Sequence, residues 1–143
     1  MTTGLLKLRA QDAEDVQVIS AVLQDSIVPV CDMAFQAETK SFVIVAQRLR
    51  REDGEAGACE RICSALTVAG ITSVQINGFD QKQRDRMLDL LAIILEPSQH
   101  FLTLVFAGDA RVRLGVLHWH AAVEDFGEPW PALCNPCHDA AAG

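Results

Sequence analysis

The chain has 143 residues, of which half are hydrophobic and 22% are charged, and its formal net charge at pH 7 is −7. This length and composition indicate one folded domain over residues 1–143, and they exclude an intrinsically disordered chain. The negative charge argues against nucleic-acid binding, because it repels phosphate backbones.

The sequence also argues against membrane insertion and export. No apolar run approaches the roughly 18–20 residues of a membrane-spanning helix. Residues 1–7 lack the basic and apolar regions of a signal peptide. The five cysteines are an odd number, and we expect them to be free thiols in a reducing compartment. We therefore expect a soluble cytoplasmic protein without a disulfide framework.

The first elements in the chain are a strand and a helix. Leu5–Arg9 alternates apolar and charged side chains, which is the pattern of a half-buried strand. Asp12 can accept a hydrogen bond from the amides of a first helical turn. Apolar side chains then recur at helical spacing, at Val16, Ile19 and Leu23. The pattern predicts a helix over about residues 12–24.

Two strands are predicted after the helix. Ile27–Phe35 is largely apolar but contains Pro29, which cannot donate to a ladder of hydrogen bonds. We expect an edge strand there, or a strand that breaks at the proline. Phe42–Ala46 is apolar at successive positions, which predicts a central strand covered on both faces.

The middle of the chain begins with residues 51–58, which are polar and glycine-rich and predict a surface loop. Residues 62–68 and 73–77 predict two strands joined by a turn at Ala69–Gly70. Met87–Leu95 fits both a helix and a strand, and we prefer the strand.

A β-hairpin is the clearest element in the sequence. Phe101–Glu124 carries apolar residues at alternate positions on either side of Gly108–Asp109, a two-residue loop that begins with glycine. The apolar parity changes past Gly115, and a β-bulge at Gly115–Val116 explains this change. With that bulge His118 and His120 face outward. The inward residues are then Leu117, Trp119, Ala121 and Val123.

These elements predict an α+β fold with a mostly antiparallel sheet or a barrel-like roll and one N-terminal helix. The periodicity is lost after Phe126, where Gly127 and three prolines follow. We expect an irregular tail from about residue 127.

Short motifs from several parts of the chain carry a resemblance to a known family over about Leu5–Asp139. They are Leu6-Lys7-Leu8 with Asp15, Ile19-Ser20 and Gln24-Asp25; Leu90-Leu91-Ala92-Ile93; Leu102–Gly108; and Glu124-Asp125, Gly127 and Pro129-Trp130. In these the chain resembles the bacterial proteins grouped as domain of unknown function 2948. The resemblance implies a small cytoplasmic bacterial protein and favours a strand at Leu90–Leu95. It implies no activity, ligand or catalytic residue.

Cys134, Cys137 and His138 have the Cys-x-x-Cys-His spacing of covalent haem attachment. That attachment normally needs export, for which the sequence has no signal, so we expect neither haem nor another cofactor. The same three side chains are candidate metal ligands, with a further cysteine or histidine as the fourth. The alternative is that the two thiols lie in a loose tail without a ligand.

Three other side chains are candidates for ligand binding. His118 and His120 lie on one face of a strand, roughly 7 Å apart at Cα, a spacing that can chelate a metal. The alternative is a pair of solvated histidines beside a buried Trp119. Trp130 lies between two prolines and either pins the tail to the core or forms an exposed binding residue.

The sequence contains no recognisable catalytic motif. Glu124 and Asp125 face opposite sides of a strand, so neither is assigned a catalytic role. We therefore expect a non-catalytic interaction or small-ligand-binding domain, whose partner is a protein, a small molecule or a second copy paired through an exposed strand. The alternative is a metal-binding protein or an enzyme that uses His118, His120 and His138 with Cys134 and Cys137.

Overall fold

The computed structural model describes residues 5–50 and 60–131, and most of them lie in β-strands. The strands are β1 (Lys7–Ala10), β2 (Ile27–Pro29), β3 (Met33–Gln36), β4 (Ser41–Leu49), β5 (Glu60–Asn77), β6 (Met87–Leu95), β7 (Phe101–Phe106) and β8 (Arg111–Pro131). One α-helix, α1 (Ala13–Leu23), follows β1, and a single 3-10 turn, Val30–Asp32, separates β2 from β3.

Six of the strands close into an antiparallel barrel. Their order is β8-β5-β4-β2-β6-β7, and β7 pairs with β8 to complete the ring. β1 adds to β8, and β3 adds to β4. The prediction of a mostly antiparallel, barrel-like sheet with one helix is confirmed. The predicted α+β class is corrected to mostly β, because strands dominate the described residues and α1 has only 11 residues.

The helix forms where the sequence predicts it and packs on the core. The Asp12 side chain accepts a hydrogen bond from the Asp15 amide at 2.9 Å and caps the helix. Ser20 Oγ accepts a hydrogen bond from the Ile93 amide of β6 at 2.9 Å. The apolar face of α1 is buried against the barrel at Val16, Ile19 and Leu23. No helix within residues 5–50 and 60–131 is long and apolar enough to cross a membrane.

Several local predictions are confirmed. The strand breaks after Pro29, and Met87–Leu95 is a strand. In the hairpin, Gly108 and Asp109 have φ angles of 77° and 64°, and the Phe106 amide donates to the Ala110 carbonyl. Positive φ at both loop residues matches the twist of the paired strands. The predicted loop at residues 51–58 lies outside the described residues.

Two predicted chain breaks are wrong. β5 is one strand through Gly70, with no turn at Ala69–Gly70, because glycine adopts the φ of 87° that lets the strand bend while it keeps its pairing. β8 continues to Pro131, so the predicted irregular tail is wrong for residues 127–131. The long β5 supplies a partner there, and Glu60 lies opposite Pro131. Residues from 132 onward lie outside the described part of the chain.

The β5–β8 ladder is irregular at the predicted Gly115–Val116 step, where the extra residue is Thr72 of β5, but the bulge on β8 itself is wider and lies further along the strand. Between the pairs Ala69–His120 and Ile71–Val116, one residue of β5 faces three residues of β8, Leu117–Trp119. His118 has a φ of 49°. His118 and His120 are exposed, as predicted, whereas the predicted inward position of Leu117 is wrong because its side chain is 55% exposed. Because of this bulge, the inward-facing positions shift from even-numbered to odd-numbered residues over a stretch of three residues, Leu117–Trp119.

Candidate functional site

A half-enclosed cleft of about 290 Å³ opens where β4 begins and β5 ends. Three stretches of chain surround it: the segment from the 3-10 turn into β3, the inner faces of β4 and β5, and the connection from β5 to β6. Its lining residues are Val30, Met33, Ala34, Phe35, Phe42, Val74, Ile76, Phe79, Gln81 and Arg84. We call it the apolar cleft.

The floor of the apolar cleft is part of the barrel interior. Phe42 is buried and has the same inward parity on β4 as Ile44 and Ala46. Phe79 packs edge-to-face on the buried Phe106, with ring centroids 6.4 Å apart and planes at 74°. Phe35 forms the lip and is 47% exposed. The apolar floor of the cleft is therefore preformed, because it is held by the same packing as the core.

The rim of the apolar cleft is polar. Gln81 and Arg84 lie in the connection from β5 to β6, and both are exposed. Arg84 Nη2 donates a hydrogen bond to the Cys31 carbonyl at 3.2 Å. The Cys31 amide donates back to the Arg84 carbonyl at 3.1 Å, and the Val30 amide donates to the Arg86 carbonyl. These bonds hold the guanidinium beside the apolar floor.

A second, more open cleft of about 420 Å³ lies at the bulge of β8. His118 and Trp119 line it together with His100 from the turn before β7. The structure thus brings one predicted ligand-binding residue, His118, to a concave surface. His120 and Trp130 do not line this cleft. Trp130 is half-buried and lies opposite Arg61.

The metal hypothesis stays a prediction. The described residues contain no group of three or more histidine, cysteine, aspartate or glutamate side chains that could hold a metal ion. Cys134, Cys137 and His138 lie outside the described residues. Cys31 is exposed and Cys63 is half-buried, and both are free thiols.

Away from both clefts, a network of polar side chains is closed to solvent. Arg48 donates from Nε to Asp125 Oδ1 at 2.8 Å and from Nη2 to Oδ2 at 2.6 Å. Ser64 Oγ also donates to Oδ1, and the Leu6 amide donates to Oδ2 at 2.8 Å. Arg48 is 1% exposed and Asp125 is buried. This network joins β4, β5 and β8 and the residue before β1, and it has no face open to a ligand.

The pKa of Asp125 reflects this environment. Burial raises it, but hydrogen bonds from Arg48, Ser64 and the Leu6 amide outweigh burial, so the pKa lies below its ordinary value. Hydrogen bonds from Arg113 and then Thr103 lower the pKa of Glu96 to about 2. Both carboxylates are therefore ionised at neutral pH and act as acceptors that join strands.

The apolar cleft is the feature that the sequence did not predict. Its residues come from separate segments of the chain, and each apolar one has the pattern of an ordinary core or edge position. Arg84 lies in a polar stretch with the pattern of a connection. The buried partner of Arg48, by contrast, could have been expected from the sequence. Arg48 continues the inward parity of Phe42, Ile44 and Ala46, and an inward-facing arginine requires an acceptor.

A family model described as "Protein of unknown function (DUF2948)" matches residues 6–138. The chain belongs to this family. The resemblance drawn from the sequence motifs is thereby confirmed. No curated protein and no solved structure matches this DUF2948 member. The family description names no activity, so a function has to be argued from the geometry of the clefts.

Proposed function

We propose that this protein is a non-catalytic small-ligand-binding domain whose ligand occupies the apolar cleft. The observation that carries the proposal is a preformed, half-enclosed cavity of about 290 Å³ with an apolar floor. Protein sites for small molecules are mostly apolar, with a few polar groups that orient the ligand, and they measure roughly 300–1,000 Å³. The mouth of a β-barrel is a common place for them.

The polar groups of the cleft support binding rather than catalysis. Among the described residues that line it, only Gln81 and Arg84 have polar side chains. An amide does not titrate, and a guanidinium stays protonated at all physiological pH values. Neither side chain can act as a general base or as a nucleophile. Both can donate hydrogen bonds that orient a bound molecule.

The test uses an uncharged apolar probe, 1-octanol, titrated into the ¹⁵N-labelled full chain. We expect saturable shifts of the backbone amides of residues 33–35, 74–76 and 79. The substitution Ala34→Trp places an indole at the cleft wall, on an edge strand, and should abolish these shifts. A matched control is Gln75→Trp, which adds the same side chain to an exposed position on the other face of β5.

Binding that survives Ala34→Trp, or that shifts amides elsewhere in the barrel, would place the site outside the apolar cleft. If wild-type protein binds neither 1-octanol nor a charged analogue of the same chain length saturably, the proposal is wrong. The fold of each variant is checked by its amide spectrum, because a correctly folded Ala34→Trp protein should change only near the cleft.

A further inference from the structure

The polar rim of the apolar cleft, and Arg84 in particular, indicates which chemical group the ligand presents there. We infer that the ligand is an amphipathic carboxylate, with its carboxylate on the Arg84 guanidinium and its apolar body on the floor formed by Phe42, Val74 and Ile76. This inference rests on the proposed function and adds a ligand class to it.

Arg84 is placed to bind an anion. Its guanidinium has five N–H donors in a planar fork, and the described residues take one of them, through the Cys31 carbonyl. No carboxylate among the described residues forms an ion pair with Arg84. The side chain is tethered at one Nη atom, and the remaining donors suit the two oxygens of a carboxylate.

The local charge favours a head group with a single negative charge. Two further cations, Lys82 and Arg86, flank Arg84 in the connection from β5 to β6, but Asp80 and Asp85 lie in the same stretch. Asp32 lies in the 3-10 turn that borders the cleft. The connection is thus only slightly cationic on a protein whose net charge is −7. With Asp32 the three aspartates balance the three cations, so these local charges cancel, and the net charge of −7 then repels a dianionic phosphate more strongly than a monoanionic carboxylate.

The volume of the apolar cleft gives the approximate size of the whole ligand. At about 30 Å³ for each water-sized group in a liquid, the cavity of about 290 Å³ holds roughly ten non-hydrogen atoms. Octanoate has this number of atoms and combines one carboxylate with a flexible chain. It is therefore a suitable probe for the class, and 1-octanol is its uncharged counterpart.

The experiment compares octanoate, 1-octanol and octyl phosphate by isothermal titration of the full chain at pH 7. We expect octanoate to bind about tenfold more tightly than 1-octanol, the ratio that corresponds to about 1.4 kcal/mol for one charge-assisted pair. Octyl phosphate should bind less tightly than octanoate. In the variant Arg84→Gln the preference for octanoate should disappear, while the affinity for 1-octanol stays the same.

Two variants complete the design. Arg84→Lys keeps the charge but not the planar fork, so its preference for octanoate should be smaller than that of wild type. Arg9→Gln removes an exposed arginine from β1, outside the cleft, and should leave all three affinities unchanged.

The two proposals fail in different ways. If 1-octanol binds in the apolar cleft but octanoate binds no more tightly, or if Arg84→Gln retains the preference, the carboxylate inference is wrong and the proposed function stands. If octyl phosphate binds more tightly than octanoate, the carboxylate inference is wrong and the ligand has a phosphate head group. If none of the probes binds to wild-type protein, both proposals are wrong.

Discussion

Asp125 shows how a single side chain can hold several strands together. Its carboxylate accepts four hydrogen bonds, two from Arg48 and one each from Ser64 and the Leu6 amide. A buried ion pair need not add to stability compared with an apolar pair, because both charges lose their hydration. Once the pair is in place, however, removing one partner leaves the other charge buried without compensation.

This reasoning predicts the effect of Asp125→Asn. The substitution removes the negative charge while Arg48 remains buried and charged, so we expect the free energy of unfolding to fall by about 3–5 kcal/mol. Urea denaturation of wild-type protein and of Asp125→Asn measures this difference in the free energy of unfolding. The matched control is Glu124→Gln at the adjacent exposed position, which should change stability by less than about 0.5 kcal/mol. A loss below about 1 kcal/mol for Asp125→Asn would show that the network is not important for stability.

At the scale of the elements, the pairing of β5 with β8 depends on how closely their backbones approach at the bulge. Gly70 has a φ of 87° and lies opposite Leu117–Trp119. A Cβ atom on Gly70 would lie 2.6 Å from the Leu117 carbonyl oxygen and 2.9 Å from Trp119 Cα. Glycine is therefore required there both for its conformation and for lack of space.

The substitutions Gly70→Ala and Gly127→Ala separate these two effects. Gly127 also has a positive φ, of 77°, but a Cβ atom there would have no neighbour within 4 Å. We expect Gly127→Ala to cost about 1–2 kcal/mol for the left-handed conformation alone. Gly70→Ala should cost a further 1–3 kcal/mol or so, because the bulge has to move.

Thermal or urea denaturation of the two variants supplies the comparison. Equal losses of stability would mean that the bulge relaxes freely around a methyl group. In that case crowding at Gly70 does not constrain the bulge at Leu117–Trp119.

At the scale of the whole molecule, α1 and the barrel share one hydrophobic core. A single cluster of buried side chains extends from the helix through the strands, and it includes Ile19 and Leu23 from α1 with Leu90 and Val123 from the barrel. Such a core implies that helix and barrel unfold together, because neither covers its apolar surface alone.

We expect the unfolding curves followed by far-ultraviolet circular dichroism and by tryptophan fluorescence to coincide. Ile19→Ala should shift both curves equally and lower the free energy of unfolding by about 2–5 kcal/mol, since Ile19 is buried. The control Val18→Ala removes a side chain from the same helix that is 52% exposed, and it should have an effect below about 0.5 kcal/mol. Two separate transitions would refute a shared core.

The local pattern of the sequence determined those features that depend on neighbouring residues. Helical spacing and Asp12 predicted α1, and alternation around Gly108–Asp109 predicted the hairpin. The change of parity after Gly115 predicted a bulge and the outward histidines. These features follow from side-chain periodicity and from turn conformations, which are set within a few residues.

Only the tertiary structure decided which distant segments meet. The continuity of β5 through Gly70 depends on the approach of Leu117–Trp119, and the extension of β8 to Pro131 depends on the length of its partner strand. The apolar cleft and its Arg84 rim arise because the barrel brings separate segments to one opening. Periodicity shows that a residue faces inward, but not whether the inside is filled, because filling depends on side chains far apart in the chain.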